Sequence, residues 1–510
     1  IVSRAREAGL KLSPNQLFER PTVAALAAVA SPPSEVEPVA AQSTITGPVP
    51  FTPIQHWFLE QRLTAPHHWH QARLVTLPHD CDVATVAQAL ATLWTHHDAL
   101  RLTVHPTGQH QQEDAQPPVP IVIDLAHLEI SEQLQAVTHH CQRLCRGTQL
   151  DQGLMQVAYL NRGTQLPQLL VTLHHWVVDT VSWQILLEDL DRLLVHHQTL
   201  PPKTTAFKTW AEGLSQHSPM DEADFWLTQV EGETVTLPGG FPLTPTTEAT
   251  AVTVSASLSV TDTQALLQTV PAAYNTQIND ILLTALAQTL LQWSGVDTGS
   301  VQVELEAHGR ETLFPGVDLS RTVGWFTTTY PIRLTVTEQN TENALKAVKE
   351  QLRQVPHRGI GYGLLRYLGT QAVQDRLAQR PSPVLFNYLG QLDRGQHSAL
   401  PSDSVDFSAL RDPQNSRGYA HEINAWIRHN SLQVHWTYDS QLQSVKRPDR
   451  LPPDRLPLDH IAQQYIHHLK ALIHHCVASQ GGFTPSDFPD AGLDQAELDD
   501  FIGQLTAGGL

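Results

Sequence analysis

The chain has 510 residues, 41% of them hydrophobic, and a formal net charge of −19 with histidine counted as neutral. That length exceeds one ordinary core and calls for two or more packed units, and the acidic balance argues against a nucleic-acid backbone or an anionic membrane as partner. No apolar run approaches the roughly 18 residues of a membrane span, no signal peptide is read, and four scattered cysteines fit a reducing cytoplasm better than a disulfide framework.

The chain starts with Ile1 inside a helix-like stretch (residues 1–7), which reads as a fragment of a longer polypeptide. A second short amphipathic piece, residues 22–29, follows Pro21, a residue suited to a helix start. Thirty residues cannot bury a core of their own, so residues 1–31 are expected to be the remnant of a neighbouring domain. Residues 32–49 are rich in Pro, Ser and Glu and read as linker.

From Phe51 the pattern turns globular. Residues 82–95 and 131–144 have helical periodicity, with Cys141 and Cys145 on one face as two buried thiols. Residues 119–123 are β-rich, and 169–173 form an apolar strand running into His174-His175-Trp176-Val177-Val178-Asp179-Thr180-Val181-Ser182-Trp183. A helix follows from Gln184, and a polar, Pro-containing stretch at 198–218 separates two halves, 50–215 and 216–478.

In the second half, residues 276–293 form a strong helix. Val301, Val303 and Leu305 alternate with Gln302, Glu304 and Glu306 in a half-buried strand. Residues 422–438 read as a hairpin turning at His429-Asn430-Ser431, and a last helix carries Ile461, Tyr465, Leu469 and Ile473. Residues 479–510 read as linker. Mixed helices and strands in both halves imply α/β layers.

Consecutive strand side chains point to opposite faces, so only one of His174 and His175 can serve a given cavity. The doublet with Asp179 reads as half of an acid/base site or as a satisfied core pair, and a metal site lacks a third ligand at helical spacing. Glu306-Ala307-His308-Gly309-Arg310-Glu311 reads as a site wall, its Gly letting backbone come close, or as a solvated loop. Arg321 to Pro331 reads as a buried strand after a tight turn. Phe386-Asn387-Tyr388-Leu389-Gly390-Gln391 can present Asn387 and Tyr388 from a strand end. Gly359-Ile360-Gly361-Tyr362-Gly363 lacks the Lys-Ser/Thr ending of a phosphate loop. No lysine or cysteine falls in these segments, which disfavours Schiff-base or thiol-pair chemistry.

Together with Thr52-Pro53-Ile54-Gln55-His56-Trp57-Phe58, Asn279-Asp280-Ile281-Leu282-Leu283-Thr284-Ala285 and residues 356–363, these blocks in this order resemble the epimerization domains of nonribosomal peptide synthetases. Residues 1–31 resemble the end of a peptidyl carrier domain, and 479–510 the link toward a following module. The resemblance implies two chloramphenicol-acetyltransferase-like α/β sandwich lobes forming a V-shaped pseudo-dimer. It implies no intrinsic cofactor and no metal: an upstream carrier domain would deliver an aminoacyl or peptidyl thioester on its 4'-phosphopantetheine arm.

His175 and Glu306 match catalytic positions on opposite lobes, for L-to-D inversion at the substrate Cα by proton removal and return. His174, Asp179, Ser182, Trp183, Arg310, Asn387 and Tyr388 match supporting positions. Thr180 stands where the family usually has Gly, and a positive φ there would strain a β-branched residue. Ala307 also replaces Gly, and His70 stands where Asn is common. The rival expectations are a condensation domain forming a peptide bond and a catalytically silent carrier-docking module.

Overall fold

The computed structural model describes residues 5, 9–10, 23–30, 40–106, 108–113, 115–238, 246–338, 340–379, 382–392, 400, 402–404, 410–441, 458–479 and 481–507. Nearly all of the helix-like stretch 1–7, and residues 32–39 of the expected 32–49 linker, fall outside them; the end of that linker is instead a strand, Gly47–Val49, paired antiparallel with Gln109 to Gln111 because its backbone completes the edge of a small sheet. Val23–Val29 is the helix expected after Pro21.

The chain folds as two α/β lobes. In the first, five strands lie in the order Ser402–Ser404, His70–Thr76, Gln168–His174, Met155–Asn161 and Ile121–Asp124. Both faces of this sheet are covered. Ile130–Arg146 sets Val137, Cys141, Leu144 and Cys145 against Ala72, Ala158 and Leu170. Helices Val83–His96 and Thr180–Leu194 cover the other face with Leu169, Val171 and Leu173. A strand buried on both faces needs apolar residues at successive positions, which is why residues 169–173 show no alternation.

The second lobe is a six-stranded sheet ordered Thr328–Val336, Gly299–Ala307, Val384–Gln391, His421–Arg428, Ser431–Asp439 and Ala251–Ser257. Val301, Val303 and Leu305 enter its core with helices Ile278–Trp293 and Leu458–Ala478. The alternating carboxylates Glu304 and Glu306 take the opposite face. Arg428 pairs with Ser431, so His429 and Asn430 alone turn the hairpin, at φ of 50° and 59°. Two consecutive positive φ values are what a two-residue turn of type I′ requires, and Ser431 belongs to the strand rather than the turn.

Three local readings change in the structure. The supposed divider at 198–218 contains the helix Phe207–Gln216, which buries Phe207, Trp210, Ala211 and Leu214 in the first lobe's core. Residues 481–499 pack onto the second lobe: Lys349 Nζ, itself buried, meets both Asp487 carboxylate oxygens at 2.7 and 2.8 Å. Thr180 has no positive φ and is the first residue of its helix.

The chain also crosses between lobes. Ser402–Ser404 pairs with Arg73 to Val75, and Leu319, Val323, Trp325 and Phe326 pack into the first lobe's core. In the 410–420 segment, the fully buried Asn415 accepts from Ala65 N at 2.8 Å and donates to the carbonyls of Ala65 and His68 at 3.1 and 3.4 Å. Asn415→Ala strands those buried backbone groups and should cost about 2–3 kcal/mol in urea denaturation. An unchanged midpoint would show that this segment does not tie the lobes.

Candidate active site

Strand Gln168–His174 ends where the chain tightens into the single turn His175–Val177, and this turn divides the histidine doublet. His174 is fully buried: its Nδ1 accepts from Trp176 N at 3.1 Å, so its Nε2 carries the proton and donates to the Pro66 carbonyl at 2.8 Å. Burial holds it down to about 3. It is a neutral anchor for the turn.

His175 points the other way. Its backbone N–H donates to Trp69 O at 2.9 Å, its ring leans on Trp325 with centroids 4.5 Å apart, and its Nε2 meets the Gln71 side-chain amide at 2.9 Å. Burial holds His175 down to about 4, so the imidazole is neutral at pH 7 with Nε2 able to accept a proton. Gln71 sits on strand His70–Thr76 beside His70, whose Nε2 instead meets Thr148 Oγ1 at 2.9 Å. His70 is thus a core residue facing away from His175.

Asp179 caps the helix that follows, its Oδ1 accepting from Ser182 N at 2.7 Å. Its other oxygen accepts from Phe326 N at 3.1 Å, and Arg310 Nη2 donates to both oxygens at 3.1 and 3.3 Å. The same Nη2 reaches Ser182 Oγ at 3.0 Å, which in turn donates to the Gly324 carbonyl at 2.8 Å. Arg310 also donates to the Leu319 and Thr322 carbonyls at 2.9 and 2.7 Å and lies over the Phe326 ring, 4.0 Å from its centroid. Gly309 makes this approach possible: it has φ +64°, and a Cβ there would lie 1.8 Å from the Phe326 carbonyl oxygen. The 306–311 segment is therefore an interlobe joint, with the Arg310 side chain buried and His308 alone exposed, rather than a solvated loop.

Glu306 stands near the end of its strand, opposite Thr329, and accepts a hydrogen bond from the Asn387 side-chain amide. Burial pushes its carboxyl up to about 7; Glu422 adds to the rise, while Arg411 and Asn387 oppose it. Glu304, two residues earlier on the same face, is also pushed up to about 7 by burial.

His175 and Glu306 line one cleft, a narrow one whose volume is about 50 Å³. Its aromatic walls are Trp57, Trp69, Trp325 and Tyr419, and its charged rim is Arg411, Glu248 and Glu422. Asp179, Ser182, Trp183 and Arg310 are absent from the lining and brace it from behind; Trp183 is buried beneath Arg73, 5.0 Å from its ring centroid. Tyr388 is not brought to Glu306. Because Asn387 takes the cleft face, the next side chain must take the other, and Tyr388 packs against the second lobe's core. Trp325 falls in the 321–331 block, though nothing there marks it as a cleft wall; Trp69, Arg411 and Tyr419 carry no signal in the sequence, since they come from irregular segments without period or spacing. Among the described residues, one trio has metal-ligand proximity, His96, His97 and Asp189. It lies off the cleft, and Asp189 is already paired with His97 at 2.8 Å and with Arg321.

The family model described as Condensation domain matches residues 45–487, and the chain belongs to the condensation-domain family. Across 99% of its length it is 40% identical to a linear gramicidin synthase of Brevibacillus parabrevis and 38% identical to chondramide synthase cmdD of Chondromyces crocatus. It spans only 10% and 13% of those two proteins. Among solved structures, the epimerization domain from the third module of tyrocidine synthetase B is 31% identical with a TM-score of 0.74, over 86% of this chain and 99% of that one. The condensation domain of Monacolin K polyketide synthase, 14% identical with a TM-score of 0.62 over 86% of this chain and 99% of that one, shares the fold.

Arg310→Met leaves Asp179 buried without its cation and should lower stability by about 3–5 kcal/mol in chemical denaturation. A loss under about 1 kcal/mol would place the joint elsewhere.

Proposed function

We propose that the chain epimerizes the Cα of an aminoacyl or peptidyl thioester, L to D, presented in the cleft on a carrier domain's phosphopantetheine arm. The observation that carries this reading is the pairing of His175 and Glu306 on walls of one cleft, each supplied by a different lobe. The likeness to the tyrocidine synthetase epimerization domain supports it.

Inversion needs a proton removed from one face of Cα and another delivered to the opposite face. The thioester carbonyl makes the Cα proton acidic, and an enolate-like state must survive between the two steps. A neutral His175 can accept a proton at Nε2 or, once charged, return it. A carboxyl near 7 is populated in both forms at neutral pH, so Glu306 can start as acid or as base. Asn387 orients the Glu306 carboxyl, and Gln71 holds the His175 ring edge. The aromatic walls keep bulk water from the carbanionic centre. The bond changes are C–H cleavage and C–H formation alone, so no electrons leave the substrate and no redox partner is consumed.

The rival reading is condensation, in which His175 would assist an amine attacking a thioester. Glu306 distinguishes the two, because a second proton-transferring group on the far wall is required for inversion but not for amide formation. A silent docking role loses its main support, since Thr180 occupies an unstrained helical position.

The test is to load the upstream carrier with an L-aminoacyl thioester, incubate, release the residue and separate its enantiomers. The reading predicts D product from the native domain. Glu306→Gln should lower its formation at least about 100-fold while the protein stays folded. Peptide-bond formation with an acceptor carrier, without any D residue, would sink the epimerase reading. The rate should also bend near pH 7 as Glu306 changes form and fall as pH drops toward 4, where His175 is charged before it can act as a base. A profile flat across that whole range would remove both groups from the chemistry.

A further inference from the structure

Arg411 belongs to neither catalytic wall, yet it stands where the lobes meet. Its backbone bridges to Trp69, the residue whose carbonyl holds the His175 N–H. Its guanidinium lies over the Trp69 ring, 4.2 Å from the centroid, and Nη1 reaches Glu248 Oε1 at 2.9 Å and Glu422 Oε2 at 3.7 Å. Arg417 meets the same two carboxylates at 3.6 and 3.1 Å. Arg411, Glu248 and Glu422 line the cleft with His175 and Glu306.

The groups facing Glu306 come from every neighbouring element. Its own strand brings Glu304, the adjacent strand Asn387, and strand His421–Arg428 brings Glu422. The 410–420 segment contributes Arg411 and Tyr419, with Arg417 reaching Glu248 and Glu422; the turn Glu248–Thr250 contributes Glu248, and the first lobe contributes His175. Counting formal charges, Glu248 and Glu422 are matched by Arg411 and Arg417, so an ionised Glu306, with Glu304 beside it, adds negative charge that no further arginine among these groups matches. Remove Arg411, and Glu306 would face Glu248, Glu422 and Glu304 with Arg417 alone to oppose them. Burial and like charge would then lock it as a neutral acid, unable to take a proton.

We propose that Arg411 is the positioning residue that keeps the Glu306 carboxyl switchable, holding a fixed cation at the lobe seam so that an ionised Glu306 remains accessible in the cleft. This rests on the epimerase reading only for its consequence; the electrostatic link stands by itself. Arg411's ion pairs to Glu248 and Glu422, and its stacking on Trp69, hold the charge at one place. Its backbone bridge and Asn415 hold the segment independently of the guanidinium.

The experiment titrates the Glu306 carboxyl directly by carbon NMR of protein labelled at glutamate Cδ, with Glu306→Gln assigning the resonance. Arg411→Met should move the Glu306 midpoint upward by about half to one pH unit, allowing for partial solvent screening. Arg411→Lys, which keeps the charge but not the fork, should leave it near the native value. Glu422→Gln should move it downward. The pH–rate profile of Cα exchange should shift in parallel wherever the domain is active. A folded Arg411→Met whose Glu306 midpoint is unchanged overturns the proposal, whether or not the domain epimerizes. Should Arg411→Met fail to fold, an unchanged midpoint in Glu422→Gln, together with a native one in Glu248→Gln, overturns it equally.

Discussion

One buried ion pair sets the geometry on which the site depends. Asp179 follows His175 by four residues, and Arg310 follows Glu306 by four residues. Joining Asp179 to Arg310 therefore fixes the base of the His175 turn against the end of the Glu306 strand, although the two segments belong to different lobes. Each residue of the joint has a second task. Asp179 caps a helix and holds Phe326 N, Ser182 bridges to Gly324, and Arg310 satisfies two carbonyls. A buried pair is a weak source of net stability but a strong source of position, because breaking one side leaves the other charge uncompensated.

Around that joint the chain provides two proton carriers of different character. His175 is neutral because an aromatic pocket penalises its cation, with Trp325 against its ring. Glu306 is shifted to the edge of ionisation by the same desolvation, moderated by Arg411 and Asn387. Environment, not residue type, assigns these roles: burial disfavours charge on both groups, which pulls an imidazole down and pushes a carboxyl up. Glu304, equally shifted, has no such partner across the cleft and faces Thr329 and Arg366 instead. This distinguishes two carboxyls only two residues apart.

Much of this is legible in the sequence wherever a period exists. The helix Val83–His96, the strand Gly299–Ala307 and the hairpin ending at Asp439 follow from apolar spacing; that only one histidine of the doublet serves the cleft is also anticipated, although the turn His175–Val177, rather than strand alternation, divides the pair. The same alternation, applied to Asn387 and Tyr388, shows why only one of them reaches Glu306. Segments without periodicity are opaque. Arg411 and Tyr419 sit in a loop whose course is decided by contacts with the other lobe, such as Asn415 against Ala65, and no local pattern announces such contacts. Residues 306–311 look solvated in isolation because four ionisable groups in a row normally seek water. Partners far away in the chain, Asp179 for Arg310 and Asn387 for Glu306, offset the cost of burying those two, while His308 stays exposed. The tail near Asp487 reads as linker for the same reason, since its anchor Lys349 lies on a distant helix.

The central claim is that His175 and Glu306 exchange protons with one Cα held between them. The most direct measurement is deuterium wash-in at that Cα in heavy water, by mass spectrometry of the thioester-bound residue, with the intact carrier and no acceptor substrate. The account predicts incorporation by the native domain, accompanied by inversion, and its loss in Glu306→Gln. Absence of exchange in the native domain, or undiminished exchange in Glu306→Gln, would contradict it.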